Sequence, residues 1–442
     1  MNYGVDITHA RYKDVRFKEL MSKINQGKEI EALVGELCSR AFLEDFVVPN
    51  PEYTQNNGLR KEASDFVVPF GDVMLAYQVK SKTELKPGSE KTEIDYQRIN
   101  KIITKGIGQL KTINSAVKEK QIEKLVNSRG IELPFEPTAI GKLHGLVLIE
   151  LIGEDAFPED ERTALYGGYT YKHEMPIHIF RLDDYRKIVN EVDTLPDFID
   201  YLETRAKFYE KGILMPITEE VDFLAFYKTN PELVAEVLEG KCDFLHIHEG
   251  YWSSYQSASA EDIRKRDELN RPSYVVDSII SQLHTSLGFD AGVNVTAGRV
   301  KHDQGTVRNY IAGVTELSKM NRLTRRVVGS KYLEIMKKAD QTGHGHSLIM
   351  NPSDNSAVLV LSTNRSRQER ANAIYNLCAV AYCSMKLTRI IGIVSESLSV
   401  RNRSYDVIVL DGVEFEESSD LQDRFEEMFG PKKNYSFTEY RG

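Results

Sequence analysis

"SDFVVPFGDVMLAYQVKS", residues 64–81, decides how the first half of this chain folds. Two apolar runs flank Gly71-Asp72, a pair suited to a two-residue hairpin turn. With that turn Phe70 faces Val73, Phe66 faces Tyr77 and Asp65 faces Gln78. Side chains alternate along a strand, so Lys80 shares the face of Gln78. Phe66, Val68, Phe70, Val73, Leu75 and Tyr77 line the other face as core. Pro69 points to an edge strand or a bulge. Charged strand tips also serve solubility, but solubility does not explain why an acid, an amide and a lysine converge on one face.

A divalent cation does explain it. Asp65 and Gln78 offer hard oxygen ligands of the kind Mg²⁺ takes while keeping several waters. Lys80 cannot ligate, but it can orient or help deprotonate a metal-bound water and stabilise a developing phosphorane charge. A further carboxylate from a packed helix would complete such a shell. From Glu29 onward Ile30, Leu33, Val34, Leu37 and Ala41 recur at helical spacing, and Glu36 borders that stripe. Glu29 and Glu31 are the next candidates.

Working outward, 442 residues are enough for two or three domains. The stretch 50–64 reads as a polar loop. A second amphipathic helix runs from Tyr96 to Val117, with Ile99, Ile102, Ile103, Ile107, Leu110 and Ile113 on its apolar side. "HGLVLIELI" (144–152) and "MPIHIF" (175–180) read as strands, and two short helices follow, the first capped by Asp183 or Asp184. Residues 1–215 therefore form a mixed α/β sheet flanked by helices. Residues 216–442 form a second α/β domain. In it "CDFLHIHE" reads as a strand and "GYWSSYQSASAED" as a loop. Helices are expected over 274–287, over 306–340 and in "RQERANAIYNLCAVAYCSMK", with strands at "SLIMN", "AVLVLST", "RIIGIVSE" and "YDVIVLDG".

Glu36, a loop, Asp65 at a strand start and Gln78-Val79-Lys80 together resemble the signature of the PD-(D/E)XK nuclease superfamily, the restriction-endonuclease-like fold, in its Mrr-type Gln-x-Lys branch. The order helix, strand, strand, helix, strand from 29 to 152 matches that family's core, and the resemblance covers the first 150 to 215 residues. Two positions depart from it: Gln78 stands where Glu or Asp is commoner, and Ser64 where Pro is. The resemblance implies that Asp65 and Gln78 bind Mg²⁺, with Mn²⁺ as a substitute, and that Glu36 completes the shell. It implies that Lys80 activates water and that Gln109, in "GIGQLK", assists near the scissile phosphate. The expected activity is a metal-dependent endonuclease hydrolysing DNA phosphodiester bonds, in restriction or anti-phage defence. One such site cuts one strand, so double-strand cleavage calls for a homodimer or larger assembly. The C-terminal domain would then recognise, regulate, oligomerise or bind a protein partner. The alternative is a catalytically inactive nuclease-like interaction protein whose C-terminal domain binds a partner or a nucleotide ligand.

Charge limits how nucleic acid could be held. The formal net charge is −9, from 57 Lys and Arg against 66 Asp and Glu, so any such contact must be focused. Lys82, Lys101, Lys105 and Lys111 form a local patch compatible with a DNA backbone, although a solvated helix face carries lysines in the same way. Arg365, Arg367 and Arg370 lie where a helix begins, and backbone N–H groups there favour anions. They could hold a phosphate, a nucleotide or nucleic acid, or salt-bridge a surface helix. Arg322, Arg325 and Arg326 present the same choice. His246 with His248, and His344 with His346 in a loop, lack a third ligand at a diagnostic spacing. Four sparse cysteines without a CxxC pair read as free thiols, with Cys378 and Cys383 in a core. No signal pattern and no membrane-length apolar run is present, which reads as a cytoplasmic protein with no membrane partner. No phosphate-binding glycine loop, dinucleotide fingerprint or nucleophile elbow is present.

Overall fold

The computed structural model describes residues 27–82, 96–133, 135–151, 168–212, 219–241, 245–258, 260–286, 293–297, 307–351, 354–401, 403–415 and 420–430. The chain divides into two compact units, 1–192 with 201–255, and 193–200 with 256–442. Both are mixed α/β. By compactness the main division thus falls near 255. The reason is aromatic packing: Phe223 meets Phe208 and Tyr201 edge-on or tilted, which ties the helix carrying it to the first unit. No helix among the described residues is long and apolar enough to cross a membrane.

The first unit opens with α1 (Gly27–Phe42), the short strand β1 (Val48–Pro49) and a small hairpin, β2 (Glu52–Thr54) and β3 (Arg60–Glu62), in the stretch that reads as a loop. The quoted segment follows as β4 (Phe66–Phe70) and β5 (Val73–Lys82), paired Phe66 to Tyr77 through Phe70 to Val73. Gly71 has a φ of 63° and Asp72 does not share the positive φ, the pattern of a tight turn that needs glycine at its first central position. Pro69 is accommodated because β1 pairs only with Phe66 and Val67, leaving the outer edge of β4 open at the proline.

Next, α2 (Tyr96–Lys118) and a ribbon of β6 (Leu125–Val126) and β7 (Glu132–Leu133) lead to β8 (Lys142–Leu151), parallel to β5. Then β9 (Gly168–Lys172) pairs antiparallel with β10 (Met175–Arg181), which lies parallel to β8. The sheet order is β1-β4-β5-β8-β10-β9. Helix α2 covers the face of Gln78: a Cβ on Gly106 would meet Val147 at 2.9 Å and the Lys80 stem at 3.7 Å. That cover is why Met74 and Ala76, on the same face, are as buried as the core opposite.

The opposite face packs on α1, α3 (Leu182–Val192), α4 (Leu195–Glu210) and α5 (Glu220–Thr229). There Cys38 Sγ lies 3.0 Å from the Tyr185 hydroxyl, which donates to Tyr77 at 3.1 Å. Burial pushes the Cys38 thiol up to about 12. Further along, His144 Nδ1 lies 3.2 Å from His178 Nε2, and His178 Nδ1 lies 3.1 Å from Arg205. The Arg205 guanidinium grips Glu220 at 2.7 and 2.8 Å with both residues fully buried, and Tyr201 donates to the same carboxylate at 2.6 Å.

The unit ends with α6 (Pro231–Leu238) and α7 (Tyr251–Ala258). Helix α7 and α8 (Ala260–Asn270) replace the loop expected at "GYWSSYQSASAED". The Asp222 carboxylate accepts the Trp252 N–H at 2.7 Å and the Gly250 N–H at 3.3 Å, a cap supplied from a distant helix. In "CDFLHIHE" residues 242–244 lie outside the described residues, and His246 and His248 are not in a strand.

The second unit continues with α9 (Tyr274–Ser286), β11 (Val293–Ala297), α10 (Val307–Ser318) and α11 (Arg322–Thr342). The last two replace one long helix because Asn321 caps α11, its side chain accepting from Thr324 N. Then come β12 (His344–Asn351), β13 (Ser356–Thr363), α12 (Arg367–Met385), β14 (Arg389–Ser395), β15 (Tyr405–Asp411) and α13 (Leu421–Phe429). His344 and His346 therefore sit on a strand, not in a loop. The sheet order is β11-β15-β14-β13-β12, with Leu359, Ile374, Cys378, Ile390 and Phe425 in its core.

Candidate metal centre at the end of the hairpin

Asp65 precedes β4 by one residue, and its placement comes from the frayed strand end. The buried Ser64 hydroxyl donates to Tyr77 O at 2.7 Å, and Asp65 N–H donates to the same carbonyl at 3.2 Å. The backbone ladder then stops, and Asp65 Oδ2 accepts the Val79 N–H at 2.6 Å in its place. A carboxylate thus stands in for a strand carbonyl, which pins it beside residues 78–80.

Lys80 Nζ is the hub of the cluster. It donates to Gln78 Oε1 at 2.8 Å, to Val79 O at 3.0 Å and to Asp65 Oδ2 at 3.4 Å. Gln78 is buried, and the Lys80 and Asp65 side chains are 14% and 10% exposed, so the cluster opens narrowly to solvent. The donor set tests a metal reading directly. One carboxylate, one amide oxygen and one backbone carbonyl are hard oxygen ligands facing a common point, and this chemistry fits Mg²⁺ or Mn²⁺ and not zinc. Among the described residues no three His, Cys, Asp or Glu side chains converge. The cradle therefore carries one formal negative charge plus neutral oxygens.

The other residues expected at the site lie on α1, on α2 and at the end of β5. Glu36 is exposed on α1. Helix α1 turns Cys38 towards Tyr77 and Tyr185, while Gln78 and Lys80 face α2 across the sheet. Gln109 is exposed on α2, one turn beyond Gly106, and no described contact joins it to the cluster. Lys101, Lys105 and Lys111 are exposed on the same helix, the first two one turn apart. Lys82 closes β5 opposite Leu151, and its side chain lies outside the described residues.

Sequence reasoning passed over Glu62. It ends β3, three residues before Asp65, and its carboxyl is pushed up by partial burial and by the charge of Asp65, with Lys80 acting in the opposite sense. The only signal was its spacing, in a segment whose polar composition reads as a loop.

The arginine clusters of the second unit have internal partners. Arg370, almost fully buried, donates to Glu396 at 2.6 Å, and Arg367 to Asp406 at 3.0 Å, while Arg365 is exposed. Two of the three cations proposed for an anion are thus neutralised by the fold itself. Arg322 and Arg325 both bind Asp277, and Arg326 binds Asn270. His346 lies against Met428 O, and His246 stacks edge-on against His248. Compared with protein family models, with curated proteins and with solved structures, the chain matches none.

Proposed function

We propose that the first unit is a Mg²⁺-dependent phosphodiesterase acting on DNA, an endonuclease of the PD-(D/E)XK type, with the second unit in a recognition, regulatory or oligomerising role. The observation that carries this reading is the convergence of Asp65 Oδ2, Gln78 Oε1 and Lys80 Nζ at one end of β5. A bound Mg²⁺ would supply Lewis acidity and a water of lowered pKa. Asp65, Gln78 and the Val79 carbonyl would hold it, and Lys80 would orient the attacking water and offset charge on the phosphorane. The exposed Lys101 and Lys105 on α2 suit backbone phosphates. A role in restriction or anti-phage defence follows only from the family resemblance.

The test is plasmid cleavage with Mg²⁺ or Mn²⁺ by the parent, Asp65→Ala and Lys80→Ala. Cleavage should fall at least about 100-fold in each variant. Cleavage that persists undiminished in both would reject the site. The second reading, an interaction protein without catalysis, draws on the single formal charge of the cradle. Failure of the parent to cut DNA or RNA with any divalent metal would favour that reading.

A further inference from the structure

Lys80 as placed is not ready for the task just proposed. An ammonium has three donors, and the three acceptors around Lys80 Nζ all come from its own hairpin: Gln78 Oε1, Val79 O and Asp65 Oδ2. These are the same oxygens that a hard cation would take. A divalent ion bound at about 2.1 Å from them would stand in direct repulsive contact with the ammonium.

We propose that the Lys80 ammonium and a divalent cation occupy this oxygen cradle in turn, so that cation binding releases Lys80 towards the side where a scissile phosphate would lie. The inference rests on the metal-site reading above and adds a regulatory order to it: the lysine guards the ligands while no cation is bound and is freed only when one is. A chain whose cradle carries a single carboxylate gains from such a tethered cation, because Gln78 is buried and the Asp65 side chain is only 10% exposed, so both would otherwise lose hydration without compensation. Glu62 supplies a destination. It is exposed at the end of β3, three residues before Asp65, and within electrostatic reach of both Asp65 and Lys80. Its carboxylate can receive the displaced ammonium without blocking the cradle.

The test is direct Mn²⁺ binding to the full chain, followed by electron paramagnetic resonance in the absence of nucleic acid. Lys80→Met should bind Mn²⁺ about tenfold more tightly than the parent, since a charge-assisted competitor has been removed. Asp65→Asn should bind markedly more weakly than either. A second measurement needs no variant. Trace acylation of amines, quantified at Lys80 by mass spectrometry, should rise several-fold as Mg²⁺ saturates the parent. Equal or weaker Mn²⁺ binding by Lys80→Met, or unchanged Lys80 acylation at saturating Mg²⁺, overturns the exchange but leaves the metal site standing. Absence of Mn²⁺ binding in both parent and Lys80→Met overturns the exchange and the metal site together.

Discussion

Replacing Arg205 by leucine removes one half of a fully buried ion pair and leaves Glu220 charged in the core of the first unit. The carboxylate would lose three of its contacts' strength at once: the Nε bond at 2.7 Å, the Nη2 bond at 2.8 Å and the positive charge behind both. Only the Tyr201 hydroxyl would remain. Gly168 O and His178 Nδ1 would each lose a partner, and the guanidinium stacked 4.7 Å from the Phe180 ring and 4.8 Å from the Tyr209 ring would be gone. Breaking a buried pair from one side costs about 3–5 kcal/mol, a large share of the 5–15 kcal/mol or so that holds a domain folded. With a urea slope of about 2 kcal/mol per molar, the midpoint falls by about 2 M. Trp252 is the chain's single tryptophan, is buried and belongs to the first unit, so its fluorescence reports the right transition. The double variant Arg205→Leu with Glu220→Leu should recover most of the loss, because neither charge is then stranded. A single variant within about 1 kcal/mol of the parent, or a double variant no better than the single, would refute the reasoning.

Three further outcomes follow from buried groups. Burial depresses His144 to about 4, and burial with the Arg205 charge holds His178 well below the usual range. The unfolded chain then binds more protons than the native one. The stability tied to neutral His144 is fully present above about 6.5 and is lost as pH falls towards 4, by roughly 3 kcal/mol. In His144→Gln the Trp252 transition should lose less between pH 7 and pH 4 than in the parent. Asp184 has the opposite sign. Buried, with neither carboxylate oxygen hydrogen-bonded, it is raised to about 7, so the native state holds its proton more tightly and stability falls as pH rises towards 7. Asp184→Asn should therefore stabilise the first unit at pH 8 by more than about 1 kcal/mol and give no gain at pH 5, checked by urea titration at both pH values. In the second unit a Cβ on Gly329 would stand 1.9 Å from the Pro272 carbonyl oxygen, backbone that cannot move aside. Gly329→Ala should cost about 3 kcal/mol despite its better helix propensity, visible as a lowered calorimetric transition.

Local periodicity and turn chemistry in the sequence were enough to specify the hairpin register, the strand pairs and the reach of Asp65 towards Gln78 and Lys80, because a two-residue turn leaves the pairing no freedom. The helix over Tyr96 to Val117 was legible for the same reason: its isoleucines keep one period throughout. Which face of the sheet each helix would cover was decided only by the tertiary structure. That choice turns Cys38 of α1 towards Tyr185 and Tyr77 and lays α2 over Lys80. The distant fold also gives Arg367 and Arg370 to Asp406 and Glu396, and caps α7 with Asp222. A charged side chain looks the same in the sequence whether its partner lies three residues away or two hundred. Chain neighbours settle backbone geometry, whereas the partner of a charge depends on which surfaces meet when the apolar faces are buried.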